Sequence, residues 1–452
     1  MNVAIVSTYE LGRQSFAVGS AASWLTDAGA NVRCLDLAIQ KLDTGTIKWA
    51  DVVCFSVPMH TATRIALRMA QRVREVNPDA HLCFFGLYAA VNEPLFRSIG
   101  AGTVLGGEFE PGLVAMLDRL REDPTAPQQD AALSLDRLQF RVPDRHGLPA
   151  LSQYAYITTA DGSRRVTGYT ETTRGCKHLC RHCPVVPVYG GRFFAISADV
   201  VLADIEQQVA AGAEHITFGD PDFFNGPGHA RRIVEALHDR WPALSYDVTI
   251  KVEHLVRQQE LLPVLRDTGC AMITSAVESI DERVLALLDK RHTREQFELV
   301  VRSTRALGLP LNPTFVTFTP WTTAEGYVEL LETLADLDLI ENVSPIQYGI
   351  RLLIPSGSRL LELPETQAVI EPFDPFALVY PWNHPDPRMD ELHQSVLAII
   401  QEDQQRDAPR RETWERIWHT ATRLTGTSAS RPRLREGFGY PAVPQLSEPW
   451  YC

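Results

Sequence analysis

The sequence predicts an α/β protein. A doubly wound parallel sheet occupies residues 1–121, a partial (β/α)6 barrel 154–360, and a helical segment 361–427. Three observations predict this. Short apolar runs alternate with stretches of helical period, twice over. A polar, turn-rich stretch, 122–153, separates the two series. Three closely spaced cysteines fall directly after the first strand of the second series.

In the first series, Val3–Ser7, Val32–Leu35, Val52–Ser56 and Leu82–Phe85 read as buried strands. Gln14–Ala28, Arg64–Val76 and Pro111–Leu120 carry helical periodicity between them. Strands this apolar are covered on both faces, and such sheets bind ligands beyond the strand carboxyl ends. The stretch 122–153 includes Glu122-Asp123-Pro124 and Pro143-Asp144-Arg145-His146-Gly147, a linker by composition. In the second series strands are expected near 166–173, 214–219, 245–252, 271–278, 313–319 and 347–354. Helices are expected near 197–211, 228–240, 257–268, 281–289, 294–307 and 323–337. Ser197 can cap the first of these helices and Gly212 can end it. Two further helices span 388–425, split near Arg406-Asp407-Ala408-Pro409, and a proline-containing tail occupies 428–452.

Composition narrows the function. Hydrophobic residues make up 45% of 452, enough for real cores. Lys and Arg number 43 against 56 Asp and Glu, a net charge of −13, which opposes a broadly basic nucleic-acid face. No apolar run is long enough to span a membrane, and Met1-Asn2-Val3-Ala4-Ile5-Val6 reads as a strand rather than a leader. The expected compartment is the cytoplasm. Eight cysteines are too few for a disulfide scaffold. Cys34, Cys54, Cys83 and Cys270 fall in expected strands and read as core.

The strongest signal is Thr173-Arg174-Gly175-Cys176-Lys177-His178-Leu179-Cys180-Arg181-His182-Cys183-Pro184. Thiolates spaced Cys-x3-Cys-x2-Cys suit a soft metal, either zinc or an iron–sulfur cluster. A zinc site needs a fourth ligand, which His178 or His182 can supply. A four-iron cluster held by three thiolates instead leaves one iron open to a second ligand.

This loop resembles that of the radical S-adenosylmethionine (SAM) superfamily. The resemblance implies that Cys176, Cys180 and Cys183 hold a [4Fe–4S] cluster whose open iron chelates SAM. His182 takes the position of an aromatic residue near the adenine. Thr217-Phe218-Gly219-Asp220-Pro221-Asp222 stands where the family grips the SAM amino group, with Gly219, Asp220 and Asp222 as candidates. The alternative is ordinary turn chemistry. Val277-Glu278-Ser279 stands where an acid and a serine meet the ribose, or else caps a helix. Lys251 and Glu253 end the third strand and Arg351 lies on the sixth, and each either meets SAM or the substrate or forms a structural ion pair.

A doubly wound unit before such a barrel resembles a cobalamin-binding arrangement, and Leu105-Gly106-Gly107-Glu108-Phe109-Glu110 resembles a turn near the corrinoid. The Asp-x-His-x-x-Gly motif is absent. Either cobalamin binds without a histidine ligand, or the unit is a scaffold or lid. The residues Ser447-Glu448-Pro449-Trp450-Tyr451-Cys452 resemble the run-up to the terminal motif of the CUAEP/CCAEP-tail radical SAM (seleno)proteins. In that family a second chalcogen residue follows the cysteine. The resemblance implies a catalytic role for Cys452, which either precedes an unread selenocysteine codon or is a natural end at a free cysteine.

The expectation is therefore a radical SAM enzyme of transferase type acting on a small molecule. Transfer of a 3-amino-3-carboxypropyl group to a soft atom is one chemistry. Cobalamin-dependent methylation, or methylthiotransferase-like modification of RNA or peptide, is the alternative. The electron comes from an external donor such as flavodoxin or ferredoxin, with neither nucleic acid nor membrane as partner. A zinc-binding interaction protein is the competing class.

Overall fold

In the computed structural model, residues 1–128, 132–159, 162–426 and 443–447 are described. Strands β1 (Asn2–Ser7), β2 (Asn31–Asp36), β3 (Val52–Ser56), β4 (His81–Phe85), β5 (Thr103–Gly107) and β6 (Leu133–Ser134) form one parallel sheet ordered β2-β1-β3-β4-β5-β6. The period of two explains the layers. Val3 and Ile5 of β1 pack with Val18, Leu25, Leu113 and Leu117, from helices Phe16–Asp27 and Glu110–Glu122. Ala4 and Val6 point the other way, to Ala66, Ala70 and Val73 of helix His60–Val76. Ser15 starts the first helix by accepting from the Val18 N–H at 3.2 Å.

The second sheet is ordered β14-β13-β12-β11-β8-β7-β15. Its members are β7 (Tyr156–Thr158), β8 (Arg164–Thr170), β11 (His215–Phe218), β12 (Ser245–Thr249), β13 (Cys270–Glu278), β14 (Leu311–Phe315) and β15 (Gln445–Leu446). Strands β8 and β11 to β14 run parallel, whereas β7 and β15 are antiparallel additions at one edge. A separate ribbon pairs β9 (Thr173–Gly175) with β10 (Phe193–Ala195) and carries the loop between them.

Two expectations change. The sixth strand, expected over 347–354, is reduced to a bridge between Phe318 and Arg351. Pro345–Gly349 is a 3-10 turn instead. The Gln347 side chain accepts from the Phe315 N–H at 2.8 Å, so a carboxamide takes a strand's place beside β14. The stretch 122–153, expected as linker, supplies β6 and a buried arginine. Among the described residues no helix is long and apolar enough to cross a membrane.

Two buried arginines join the units. Arg145 makes a two-pronged contact with Asp204, at 2.7 and 2.9 Å, and donates to Gln14 Oε1 and the Tyr169 carbonyl. Arg174, in β9, meets Glu110 at 2.7 Å and Glu108 at 3.5 Å from the first unit, and Glu171 at 3.3 Å. Burial pushes the Glu171 carboxyl up to about 8 and Glu108 to about 7, although Arg174 pulls both down.

Arg145→Met leaves the Asp204 charge buried and unpaired. We expect it to cost about 3–5 kcal/mol, read as a lowered urea midpoint. Arg231→Met, at an exposed pair, should cost no more than about 1 kcal/mol. Equal losses would contradict the interdomain role. Because the folded-state value of Glu171 is raised, its contribution is full below about 4.5 and is lost as pH rises through about 8. Glu171→Gln should therefore stabilise the fold by an amount of order 1 kcal/mol at high pH, with the gain vanishing near pH 4.5. A gain independent of pH would refute this.

Candidate functional site

The three cysteines lie on the turn between β9 and β10, facing the carboxyl ends of β8 and β11 to β14. Gly175, directly before the first, has φ +78°. A Cβ there would come within 2.5 Å of the Arg192 carbonyl and 2.6 Å of the Tyr189 ring. Only glycine lets the chain turn here. Cys176 and Cys180 are buried and Cys183 is half-buried. Burial pushes the Cys176 thiol up to about 12 and Cys183 up to about 11, so neither is a ready nucleophile by itself.

Neighbouring elements hold this turn. Asn225, beyond β11, donates to the Gly175 carbonyl at 3.1 Å and accepts from the Lys177 N–H at 3.2 Å. The Arg181 N–H donates to the Leu288 carbonyl, and its guanidinium to those of Ala286 and Leu287. Ser358 and Arg359 donate to the carbonyls of Arg181 and Leu179. Val188 and Tyr189 pack against Cys176 and against Leu87 and Val91 of the first unit. Tyr189 also donates to Glu108 at 3.2 Å.

The sequence-derived candidates divide into two groups. Glu278 ends β13 with φ +68°, a conformation that is costly for a residue with a side chain. His182 Nε2 and Lys290 Nζ both lie on its Oε1, at 3.1 and 3.2 Å, which leaves Oε2 for other donors. Burial raises this carboxyl, but Lys290 and then His182 outweigh it and hold it down to about 2. His182 and Glu278, 96 residues apart, are thus brought together at the cysteine turn.

The second group is engaged elsewhere. A Cβ at Gly219 would overlap the Tyr169 ring and hydroxyl, so its absence makes room for that ring. Asp220 accepts from the Thr172 N–H at 2.9 Å and from the Thr172 and Thr173 hydroxyls at 2.6 Å each, fixing the entry to β9. Ser279 accepts from the Asp281 N–H at 3.1 Å, ahead of the helix Glu282–Leu287. Arg351 is turned to Asp390 at 2.7 Å, donates to the Trp382 carbonyl and stacks 3.6 Å over the Trp382 ring. These contacts account for Gly219, Asp220, Ser279 and Arg351 as parts of the framework. Cys452 lies outside the described residues.

Asp222 is the exception, because its carboxylate faces His178 and His254. Lys251 Nζ lies 3.2 Å from Glu253 Oε2 and 3.3 Å from His178 Nδ1. Sequence reasoning missed His254, Lys290 and His292. Lys290 and His292 bracket the left-handed Arg291, and His292 is buried with neither ring nitrogen hydrogen-bonded. Burial and then Lys290 and Lys251 push its imidazole down to about 3. The signal available was the run Lys290-Arg291-His292 at the end of a strand–helix unit.

Comparison with known proteins fits this geometry. Residues 170–336 match the family model of the Radical SAM superfamily. That stretch is a radical SAM domain, the domain of an enzyme that takes a [4Fe–4S] cluster and SAM. The donor set fits such a cluster, with three thiols on one turn. Among curated proteins the chain is 25% identical over 238 residues to the ribosomal protein uS12 methylthiotransferase RimO of Syntrophotalea carbinolica, covering 48% of this chain and 50% of that one. It is 22% identical over 216 residues to a tRNA-2-methylthio-N(6)-dimethylallyladenosine synthase of Escherichia coli, covering 44% of each. The chain thus spans about half the length of these curated relatives. Among solved structures, the apo cobalamin-dependent SAM radical enzyme OxsB aligns with TM-score 0.70 and 16% identity, over 94% of this chain and 72% of that one. The radical SAM methyltransferase TsrM of Kitasatospora setae, with tryptophan and a SAM analogue bound, aligns with TM-score 0.65 and 17% identity, over 82% and 78%. Both share the fold.

Gly219→Ala should destabilise by about 1–3 kcal/mol through the clash with Tyr169. Tyr169→Leu in the same chain should relieve most of that loss. A double-mutant cycle read by thermal unfolding tests the pair, and strict additivity would show that the ring is not the obstacle.

Proposed function

We propose that the chain is a radical SAM enzyme in which Cys176, Cys180 and Cys183 hold the [4Fe–4S] cluster and the substrate is a small molecule. The observation that carries this reading is the cysteine turn. The turn follows β8 and β9 directly, and its Gly175, Lys177 and Arg181 are tied by hydrogen bonds to segments after β11 and β13. When bound, the reduced cluster supplies the electron that breaks a C–S bond of SAM. The chain's own residues do the positioning. Glu278 offers Oε2 to the ribose hydroxyls while Lys290 and His182 fix its other oxygen. The His182 ring, held by Glu278, would flank the adenine of bound SAM. The framework contacts of Gly219, Asp220 and Ser279 hold the strand ends that shape the pocket. Arg351 anchors the helical segment behind it. The electron comes from an external donor such as flavodoxin or ferredoxin.

Within this reading we assign the chain to the CUAEP/CCAEP-tail group, on its Ser447-Glu448-Pro449-Trp450-Tyr451-Cys452 motif. We assign it aminocarboxypropyl transfer to a soft atom, with Cys452 as the soft ligand. The fold neighbours favour a second reading, cobalamin-dependent methylation. A corrin between the units would have to enter where Arg174 and Tyr189 reach Glu108, and where Tyr154 donates to Asp36 at 2.9 Å. That reading requires these bridges to open. The curated relatives support a macromolecular substrate over the shared half alone, and the net charge of −13 opposes RNA.

Anaerobic reconstitution with iron and sulfide, followed by dithionite and SAM, tests the proposal. About four irons per chain are expected, and replacement of any of the three cysteines by alanine should abolish nucleoside production. 5′-Methylthioadenosine in the mass spectrum would support aminocarboxypropyl transfer. 5′-Deoxyadenosine would favour hydrogen abstraction or methylation and call for corrinoid titration. Stoichiometric zinc with neither nucleoside would sink the radical reading.

A further inference from the structure

We propose a second metal site, a mononuclear divalent cation held by His178, Asp222 and His254. Three separate elements bring these residues together: the cysteine turn, the loop after β11, and the helix Val252–Arg257 that follows β12. All three are buried, at 6%, 1% and 2% exposure. One ligand atom from each lies within 4.8 Å of the others. Asp222 Oδ2 is 2.7 Å from His254 Nδ1 and 3.5 Å from His178 Nε2, and the two Nε2 atoms are 3.1 Å apart. Bonds of about 2.0–2.1 Å in a tetrahedral shell put neighbouring ligand atoms about 3.3 Å apart. With His254 Nδ1 as the ligand atom, the two separations from Asp222 Oδ2, 2.7 and 3.5 Å, bracket that value.

The alternative is a plain hydrogen-bonded ion pair, and the geometry opposes it. Asp222 Oδ2 and His254 Nδ1 are both fully buried, and neither has a hydrogen-bond partner, although they lie 2.7 Å apart. Two such atoms this close, out of hydrogen-bond alignment, repel unless positive charge, a proton or a metal ion, lies between them. An unsatisfied buried carboxylate oxygen is costly, and a cation satisfies it and the imidazole at once.

The surroundings fit a metal-bound imidazole. Glu253 Oε2 and Lys251 Nζ both face His178 Nδ1, at 3.5 and 3.3 Å, so a cation on Nε2 requires Nδ1 to give its proton to Glu253 while Lys251 stays on Glu253 alone. The Lys251 charge is itself met by Glu253 at 3.2 Å. Two imidazoles and one carboxylate suit zinc, iron(II), cobalt(II) or manganese(II). Three protein ligands leave a position open for an oxygen or sulfur donor of a small-molecule substrate. No cysteine takes part, so this site goes beyond the cluster and is counted separately from it.

The test uses the cluster-loaded full chain, dialysed anaerobically against buffered zinc and analysed for both metals. One zinc per chain beside about four irons is expected. Asp222→Asn and His254→Gln should each lower zinc at least tenfold while iron stays unchanged. X-ray absorption at the zinc edge of the unaltered chain should show nitrogen and oxygen at about 2.0–2.1 Å. Zinc far below one per iron-loaded chain, zinc retained in both variants, or a sulfur shell at about 2.3 Å would overturn the proposal. The last outcome would place the zinc on the cysteines. If the cysteines hold no cluster, iron falls and zinc binding at the two histidines is unaffected, so the two proposals fail separately.

Discussion

The Arg174 guanidinium is the interaction on which the rest depends. It lies two residues before the first cysteine of the turn, enclosed by Glu108, Glu110 and Glu171 and faced by the rings of Phe16, Phe109 and Phe140 at 4.9–5.6 Å. Burial disfavours its charge, yet the three carboxylates hold its pKa above the usual arginine value. The dependence is mutual, because a buried charge without its partner costs several kcal/mol, about 3–5 by analogy with other broken pairs. Two of the carboxylates belong to the first unit and β9 to the second. The same contact therefore docks one unit on the other and sets the entry to the cysteine turn.

Much of the fold was legible because it is local. The strands of the first sheet announce themselves as apolar runs, and the helices between them carry a 3.6-residue period. The cysteine turn is legible for the same reason, since its three cysteines fall within eight positions. The losses are non-local. Gly219 looks like a backbone cradle for a ligand, but the atom it makes room for belongs to Tyr169, 50 residues earlier. Asp220 looks like a free carboxylate at a strand end, but Thr172 and Thr173 occupy it from 48 and 47 positions away. The sixth strand failed because a Gln347 side chain, which no backbone pattern reports, occupies the hydrogen-bonding position beside β14.

The site itself is a division of labour among strand ends. Residues after β11 hold the turn and contribute Asp222. The end of β13 contributes Glu278 in a strained conformation, with Lys290 fixing its charge. Such strain persists only where the surroundings over-determine it, and here the buried Lys290–Glu278 pair and His182 do so. A barrel scaffold of this kind hosts enzymes of different chemistry, so substrate choice does not follow from the fold.

The pairing of β15 with β7 has a consequence for how this protein is made. The Tyr156 N–H donates to Ser447, 291 residues later in the chain. During synthesis at about 5–20 residues per second, the β7 edge therefore stays uncovered for roughly 15–60 s after it emerges. An unpaired strand edge is a template for pairing with another chain. The nascent barrel is thus exposed to misassembly on the ribosome for most of its own translation, and a chaperone that shields this edge would act in that interval.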